Sequence, residues 1–510
     1  MARPYSLSRR EITLVLFSVM IFLVFYNFDV TSDFFANPNL SGIPSNPTTD
    51  SGLDMDIYGD WVSDERHISN VHKQQEEKED ASEGDIWLKT DRVPEAQKQV
   101  IFGNIGVNDG FMHWGKDIPE TRIVKHVAGF STMDNVIICN GTIFIVTDSP
   151  SSFPSLGSIA SSADDSHKAP LPREWEMLSI EQARDILGSY GGLIQGASWL
   201  SYNAIPSNYT LFSLWRTHSS LNTSTSPDPF RPARRLFFPN IPTYKGKRPD
   251  LNGPIIRRQR SDSGFHPYLP KAAFPLLGLM YKEDWEDYAL MEVPFVFERL
   301  VVADFGAAAR SANDVPPFAL PLVGLNASKE WWDPIRQNLA KFLHVNHHAQ
   351  NLNSGQKTVV TYISRQDATG GSRLRRADHD ALVNALETLH ESNDFEVNIV
   401  SSEGPWAERL SAVAQSNIIL GVHGDSLADS VFMRPSGRSA LMEFFPSDVF
   451  TRDAETAVRS LGIHYIAWWN DRWFESDSLP PVVPGSDLAQ EVRIDPAAVV
   501  HAILEVVNRT

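Results

Sequence analysis

The C-terminal part of the sequence predicts an α/β fold built around a doubly wound parallel sheet. From Lys357 onward, short apolar runs alternate with segments of helical periodicity, which is typical of βαβ units and a parallel sheet. One apolar run leads directly into a glycine-punctuated turn, and residues 419–427 read ILGVHGDSL. A strand, a Gly-rich turn and a helix in succession direct backbone N–H groups toward an anion. The sequence therefore predicts an anion-binding site at this turn, residues 421–427.

The elements of this half follow from the apolar spacing and the helix signals. The predicted strands cover residues 358–363, 395–400, 417–420, 440–445 and 464–467. The predicted helices cover residues 377–391, 406–415, 455–461 and 496–507, and a further short helix follows the turn. Ligands of such sheets bind at the carboxyl ends of the strands, where the 421–427 turn is placed.

The preceding region carries weaker signals. Folded patterning begins near Val100, and residues 135–147 read as two strands joined by a hairpin turn at Gly141. Residues 148–175 and 218–270 are rich in Pro, Ser, Asp and Arg and are predicted to form long loops. The arginines and lysines of the second loop are interpreted as a solvated charged surface.

The N-terminus has the pattern of a membrane anchor. Three arginines precede the apolar run 12–28, which is about long enough to span a bilayer, and Asp29 and Asp33 follow it. This charge asymmetry predicts a cytosolic tail (1–11), an uncleaved signal anchor (12–28) and, beyond a polar stem (29–95), a folded part in the lumen. A cleaved signal peptide is the alternative.

Composition agrees with a secretory-pathway protein that does not bind nucleic acid. The formal net charge is −18 over 510 residues, whereas phosphate backbones require a basic face. The single cysteine, Cys139, excludes an intrachain disulfide. Acceptor triplets for N-glycosylation begin at Asn140, Asn208, Asn222 and Asn326. We expect a Golgi or ER membrane protein with its folded part in the lumen.

Basic and polar residues recur at successive strand ends. Arginines at such positions clamp diphosphates, and an acid there binds ribose hydroxyls in nucleotide-binding α/β folds. The predicted ligand-binding residues are Ser364, Arg365, Arg376, His423, Gly424, Asp425, Ser426, Leu427 and Glu443. No metal ligand set is predicted, because His344, His347 and His348 lack a partner at ligand spacing.

Residues 424–427 also spell the GDSL signature of a serine esterase, with Ser426 as the nucleophile. Such a serine requires a base and an acid that orients it. The 84 residues after Ser426 contain His464 and His501 but lack the Asp-x-x-His element expected of that family. The serine esterase is therefore kept as a third hypothesis, behind the two functions that the family resemblance suggests below.

The same motifs resemble a known family of transferases. The signature begins with Gly421-Val422-His423-Gly424 and continues with Leu427, Met433-x-Pro435 and Glu443-x-x-Pro446. This pattern resembles the C-terminal signature of glycosyltransferase family 61, which includes plant xylosyltransferases and the EGF-domain O-GlcNAc transferase. Ser364-Arg365 and Arg376 resemble its upstream Ser-Arg element.

The resemblance implies a GT-B-like fold of two Rossmann-type domains, an acceptor-side domain at 96–340 and a nucleotide-sugar-binding domain at 341–510. It implies inverting transfer from a UDP-sugar, with xylose or GlcNAc as the sugar, to a glycan or glycoprotein hydroxyl, without a required metal or other cofactor. It assigns His423 and the turn amides to the diphosphate, Arg365 and Arg376 to phosphate or uracil, and Glu443 to the ribose.

Two further expectations concern catalysis. Asp425 replaces a small or amide residue of the family pattern, and Ser426 replaces a glycine. These departures favour an alternative to an active transferase, namely a catalytically impaired, membrane-anchored glycan-binding or scaffold relative. Inverting transfer requires a base for the acceptor hydroxyl. The candidates in the N-terminal half are Asp109, His113, His126 and Asp134.

Overall fold

The structure is a computed structural model that describes eight segments of the chain. These are residues 111–202, 206–221, 231–244, 265–311, 315–345, 357–392, 394–483 and 490–509. The predicted tail, anchor and stem (1–95), together with Asp109 and Asn222, lie outside the described residues. Within the described segments, no helix combines the length and the apolar character needed to cross a bilayer.

The first half of the described chain forms a mixed nine-stranded sheet. Its strands are β1 (Phe111–His113), β2 (Arg122–Val127), β3 (Phe130–Cys139), β4 (Thr142–Val146), β5 (Trp175–Leu178), β6 (Tyr190–Ser201), β7 (Ala233–Phe237), β8 (Gly278–Met280) and β9 (Phe295–Ala303). The order is β5-β4-β3-β9-β6-β7-β8, with β1 on β6 and β2 on β3. Strands β8, β7, β6 and β9 are parallel, and their order corresponds to the first four strands, 3-2-1-4, of a doubly wound fold. Strand β3 joins β9 in antiparallel pairing, so the sheet is mixed.

Within the described segments, eight α-helices and two 3₁₀ turns accompany the first sheet and the connection to the second. The helices are α1 (Leu156–Ile159), α2 (Ile180–Leu187), α3 (Asn208–Ser219), α4 (Tyr268–Ala273), α5 (Lys282–Leu290), α6 (Phe305–Ala309), α7 (Leu320–Gly324) and α8 (Asp333–Phe342). The 3₁₀ turns cover Pro150–Ser152 and Pro317–Ala319. Helix α3 follows β6 directly, so its N-terminus lies at the carboxyl end of a central parallel strand.

The sequence reading of this half was confirmed in part. The hairpin at Gly141 is present, since Asn140 and Gly141 both have positive φ, 51° and 81°, as a two-residue type I′ turn requires. The prediction of one long loop over residues 218–270 was wrong, because β7 lies within it. Strand β7 reads ARRLF, and its two arginines conceal the apolar alternation that marks a strand.

The second half forms a six-stranded sheet in the order β12-β10-β13-β14-β15-β16. Its strands are β10 (Thr358–Ser364), β12 (Phe395–Ser401), β13 (Ile418–Val422), β14 (Ala440–Phe445), β15 (His464–Trp469) and β16 (Arg472–Phe474), and β11 (Arg373–Leu374) pairs separately with β17 (Glu491–Val492). The strands are parallel except for β16, which is antiparallel to β15. The mixed α/β class predicted from the sequence is confirmed.

Four α-helices and a 3₁₀ helix accompany this sheet in the part of the chain that the structure describes. They are α9 (Arg376–Glu391), α10 (Trp406–Gln415), the 3₁₀ helix Asp425–Phe432, α11 (Asp453–Arg459) and α12 (Pro496–Asn508). Each predicted strand and helix of this half is present, with bounds that differ by two residues or fewer, as expected for element ends. The short helix after the turn is 3₁₀ rather than α.

Alternate residues of the second sheet face two different cores. Val360, Leu420 and Met442 belong to a core closed by α9 and α12. Their neighbours Ile363, Ile419, Leu441 and Tyr465 belong to a larger core that also contains Trp199 and Val301 of the first sheet and Trp332. Burial on both faces explains why these strands are continuously apolar.

Candidate functional site

The 421–427 turn lies at the topological switch point of the second sheet. Strand β10 has β12 on one side and β13 on the other, so the connections that leave β10 and β13 depart in opposite directions. Ser364 is the last residue of β10, and His423 directly follows β13. In open α/β sheets the ligand crevice forms at such a point, beyond the carboxyl ends of the two strands.

Arg365 is held against this turn by the loop that follows β10. Its Nε donates to the carbonyl of Ser372 at 3.1 Å, and its Nη2 donates to the carbonyl of Gly370 at 2.9 Å. A Cβ added at Gly424 would lie 2.8 Å from Nη1, and Gly424 has a φ of 149°. The positive φ favours glycine at 424, and a larger residue there would displace the end of the Arg365 side chain. Among the described residues, Nη1 has no hydrogen-bond partner.

His423 is fixed through one ring nitrogen and leaves the other available. Its Nδ1 lies 2.7 Å from Oε1 of Glu443, and its ring stacks on Phe445 at 4.7 Å between centroids. The His423 side chain is 32% exposed. Within the described segments, Nε2 has no hydrogen-bond partner, so it is the ring nitrogen that remains for a ligand.

The charges around His423 favour its protonated form. Burial alone would lower the pKa of His423, but the hydrogen bond to Glu443 and the negative charges of Glu443, Asp453 and Asp425 raise it above the ordinary 6.5. The imidazolium of His423 is thus stabilised relative to that of an ordinary histidine. The site then places two basic side chains, Arg365 and His423, beside the same turn.

Backbone donors complete the anion-binding arrangement. Among the described residues, no hydrogen bond uses the amide groups of Gly424, Asp425 and Ser426, which open the 3₁₀ helix. The first amide of this helix that donates is that of Leu427, to the carbonyl of Gly424 at 3.0 Å. Free amides at a helix start attract negative charge, and this adds to the two side-chain cations.

Glu443 lies inside the sheet and not at its edge. It is 1% exposed, its Oε1 faces His423, and its Oε2 accepts a hydrogen bond from the Tyr465 hydroxyl at 2.6 Å. The ribose contact that the family resemblance implied does not fit this position, because both carboxylate oxygens already have partners within the protein. Glu443 instead orients His423.

Arg376 and Ser364 are not presented at the turn. The side chain of Arg376 is 75% exposed and pairs with Asp380 at 3.1 Å. It lines a cleft of about 400 Å³ whose other lining residues are Gln366, Arg373, Leu374, Gln490 and Glu491. Ser364 is buried, and its Oγ accepts a hydrogen bond from the Gln366 amide at 3.3 Å.

The remaining turn residues have different environments. Asp425 is exposed. Leu427 is buried beneath the strand, where a Cβ on Gly421 would lie 2.7 Å from its Cδ2, so its role is packing. The Oγ of Ser426 is buried and has no partner among the described residues. Since no histidine contacts that Oγ, the structure provides no activated nucleophile for the esterase hypothesis.

The candidates for the catalytic base that the structure describes lie in the first sheet, where His126 and Asp134 are engaged in hydrogen bonds and ion pairs. The ring nitrogens of His126 lie 2.9 Å and 2.6 Å from the hydroxyls of Ser131 and Ser158, and burial lowers its pKa. Asp134 binds the buried Arg299 at 2.7 Å and also Arg122. Burial alone would raise the pKa of Asp134, but these two arginines lower it below 3.8.

His113, the third described candidate, is an exposed residue of β1, paired in register with Tyr190 of β6. Each of the three candidates thus lies in the first sheet, and the contacts given above for His126 and Asp134 come from that sheet and from α1. The structure does not bring them together with the 421–427 turn.

The first half reaches the turn through the N-terminus of α3. The Asn208 amide donates to Oδ1 of Asp429 at 2.7 Å, and Arg409 donates to Oδ2 at 2.8 Å. Asp429 is 3% exposed and belongs to the 3₁₀ helix after the turn. The next residue, Tyr209, has a pKa raised by burial and then by the charges of Glu443 and of nearby aspartates. The two halves therefore meet at the anion site.

The Asn208 contact also corrects one glycosylation site. Its amide nitrogen, which would carry the glycan, already donates to a buried carboxylate, and the residue begins a helix. Asn140 and Asn326 are exposed and remain predicted acceptors. Asn140 lies at the tip of the β3–β4 hairpin.

Sequence reasoning missed Tyr465 and Asp453. The alternation along β15 was a signal for Tyr465: β14 and β15 pair Leu441 with Tyr465 and Glu443 with Ala467, so Tyr465 shares the face of Glu443. Asp453 begins α11, where an acid has an ordinary helix-dipole role, and nothing in its local sequence relates it to His423. Among the described residues, no cluster of three or more His, Cys, Asp or Glu forms a metal site.

A parallel-sheet switch point that presents an arginine, a histidine and free amides is a geometry suited to an anionic group of a ligand, and the fold is that of an α/β protein. A comparison with protein families indicates the class of enzyme. The family model Glycosyltransferase 61 matches residues 265–440, which contain Arg365 and His423. This match confirms the resemblance to that family seen in the motifs and supports glycosyltransferase activity with sugar donor and acceptor substrates. No curated protein matches the sequence.

Proposed function

We propose that the protein is an inverting glycosyltransferase that moves a sugar from a UDP-sugar to a hydroxyl group of a glycan or glycoprotein. One observation carries the proposal: Arg365 Nη1 and His423 Nε2, both without partners among the described residues, lie beside the free amides of a switch-point turn. This arrangement suits a diphosphate, and it lies within the segment that the family model matches.

The chemistry follows from the charge that develops on the leaving group. When the bond between the sugar and the diphosphate breaks, negative charge accumulates on the diphosphate oxygen. Preorganised cations and N–H groups stabilise that charge without reorganisation. Arg365, an imidazolium at His423 and the turn amides supply such donors. Metal-independent transfer is part of the proposal for this reason.

The cellular setting and the domain arrangement belong to the same proposal. We infer a type II membrane protein of the Golgi or ER, anchored by residues 12–28, with its catalytic part in the lumen. The two sheets would be the two Rossmann-type domains of a GT-B-like fold, with domains at 96–340 and 341–510. Xylose and GlcNAc are the proposed donor sugars, since the sequence motifs resemble transferases of these sugars.

Calorimetric titration of the full-length protein with UDP, UMP and uridine tests the site directly. We expect affinity to increase from uridine to UDP, and we expect Arg365→Ala to weaken UDP binding while Arg472→Ala, on the edge strand β16, does not.

Release of UDP from UDP-xylose and UDP-GlcNAc, with and without a chelator, tests the reaction. A wild-type protein that binds no UDP contradicts the proposal. UDP binding without turnover of any UDP-sugar supplied with glycan acceptors would favour the scaffold hypothesis.

A further inference from the structure

We propose that Tyr465 and Glu443 are positioning residues that hold the His423 ring so that Nε2 faces the donor diphosphate. The inference rests on the proposed function for the identity of the ligand. The geometry of the three side chains is independent of it. Neither Tyr465 nor Glu443 touches the ligand in this arrangement, since both act through His423.

The three side chains form a continuous hydrogen-bonded row across the second sheet. The Tyr465 hydroxyl donates to Glu443 Oε2 at 2.6 Å, and Glu443 Oε1 lies 2.7 Å from His423 Nδ1. Tyr465 and Glu443 are each 1% exposed, whereas the His423 side chain is 32% exposed. The row thus runs from the interior of the protein to the crevice.

Pairing of the strands sets the spacing of this row. Glu443 lies on β14 next to Gly421 of β13, and Tyr465 lies two residues before Ala467, the partner of Glu443 on β15. Tyr465 and Glu443 therefore lie on the same face of adjacent strands. Because β-strands are rigid, the carboxylate is positioned more accurately than it would be on a loop.

A buried carboxylate requires compensation, and here it has two strong partners. A charged group removed from water is costly unless hydrogen bonds and an opposite charge compensate it. Tyr465 remains a protonated donor, because burial and then the charge of Glu443 raise the pKa of its phenol well above 10. A carboxylate on one ring nitrogen fixes the proton at Nδ1 and directs Nε2 outward, as in metal-binding and catalytic histidines.

Other charged groups also face His423 and limit what one substitution can do. Asp453 at the start of α11 and Asp425 at the start of the 3₁₀ helix both favour the imidazolium, and Tyr209 of α3 interacts electrostatically with Glu443. Removal of the Glu443 charge should therefore shift the titration of His423 downward without abolishing it.

The test compares Glu443→Gln, Tyr465→Phe and the control Asp378→Asn in the full-length protein. Asp378 is also buried in this half, where it pairs with Arg375 at 2.5 Å. Nuclear magnetic resonance of the His423 ring, assigned by comparison with His423→Asn, gives its titration midpoint and tautomer. Calorimetry gives the pH dependence of UDP affinity.

We expect Glu443→Gln to lower the His423 midpoint by about one pH unit or more, and the pH at which UDP affinity declines to fall with it. Tyr465→Phe should weaken UDP binding about tenfold, the effect of one hydrogen bond to a charged group. The control should change neither quantity. An unchanged midpoint in Glu443→Gln overturns the proposal, and wild-type UDP affinity in Tyr465→Phe overturns the role of Tyr465.

Two outcomes separate this inference from the proposed function. If the wild type binds no UDP but the His423 midpoint shifts in Glu443→Gln, the transferase proposal fails and the positioning of His423 stands. If Glu443→Gln does not fold, the wild type still decides: its neutral His423 must carry the proton on Nδ1. A neutral ring that is protonated on Nε2 overturns the inference.

Discussion

Replacement of Arg365 by lysine tests the anion site most directly. Lysine keeps the positive charge, but it has one nitrogen where arginine uses three. Nε and Nη2 of Arg365 hold the loop carbonyls of Ser372 and Gly370 at 3.1 Å and 2.9 Å, which leaves Nη1 beside Gly424. A single ammonium group cannot hold the loop and also bind a phosphate oxygen.

The expected magnitude follows from one charge-assisted hydrogen bond. Such a bond contributes about 1.5–3 kcal/mol, which corresponds to a loss of UDP affinity of about 10- to 150-fold. We expect Arg365→Lys to lie near the lower limit and Arg365→Ala near the upper limit. Isothermal titration calorimetry provides the affinities, and urea unfolding shows whether each variant remains folded.

Arg376 provides the informative comparison, because its motif also predicted donor binding. Its side chain is 75% exposed and paired with Asp380, so Arg376→Lys should change UDP affinity less than about threefold, within the range of exposed charges. Equal affinity of the Arg365→Lys variant and the wild type would refute the reasoning. So would a larger loss in Arg376→Lys than in Arg365→Lys.

Three other substitutions or sites give separate tests. Gly424→Ala should lower the free energy of unfolding by about 1–3 kcal/mol and displace Arg365, whose Nη1 would lie 2.8 Å from the new Cβ; wild-type UDP affinity by calorimetry would contradict this. Asp134→Asn should lower the free energy of unfolding by about 3–5 kcal/mol, because buried Arg299 loses its carboxylate. The stability from Asp134 is present above its ordinary pKa of 3.8 and is lost as pH falls through the lowered folded value, which urea unfolding at several pH values would show. Glycopeptide mass spectrometry should find Asn208 unmodified, and a glycan there would contradict its placement against a buried carboxylate.

Local patterning accounts for much of the second sheet. The strands of this half are apolar on both faces, and Leu382, Leu386 and Leu389 recur at helical spacing and are buried. The mixed first sheet was harder to predict. Strand β7 carries adjacent arginines, Arg234 and Arg235, which resemble a solvated surface in sequence but belong to a strand paired on both sides.

The candidate site was likewise predicted only in part from the sequence. The motifs placed Arg365 and His423 at one edge of the sheet, because the carboxyl ends of parallel strands meet there. They also assigned Glu443 to a ligand, since a strand-end acid and an internal acid look alike in sequence. Pairing in register with Gly421 and Ala467 places Glu443 inside the sheet.

The sequence by itself determined the α/β class, the positions of the anion-binding turn and its basic residues, and the resemblance to glycosyltransferase family 61. These depend on local periodicity and on short motifs, which neighbouring residues encode together. Only the tertiary structure decided that Glu443 and Tyr465 support His423, that Arg376 is turned to solvent, and that Asn208 contacts Asp429. Each of these features either joins residues that are distant in the chain or depends on which face of an element a side chain occupies. Both are decided by how the strands pair and how the sheets pack, and neither is encoded in a short stretch of sequence.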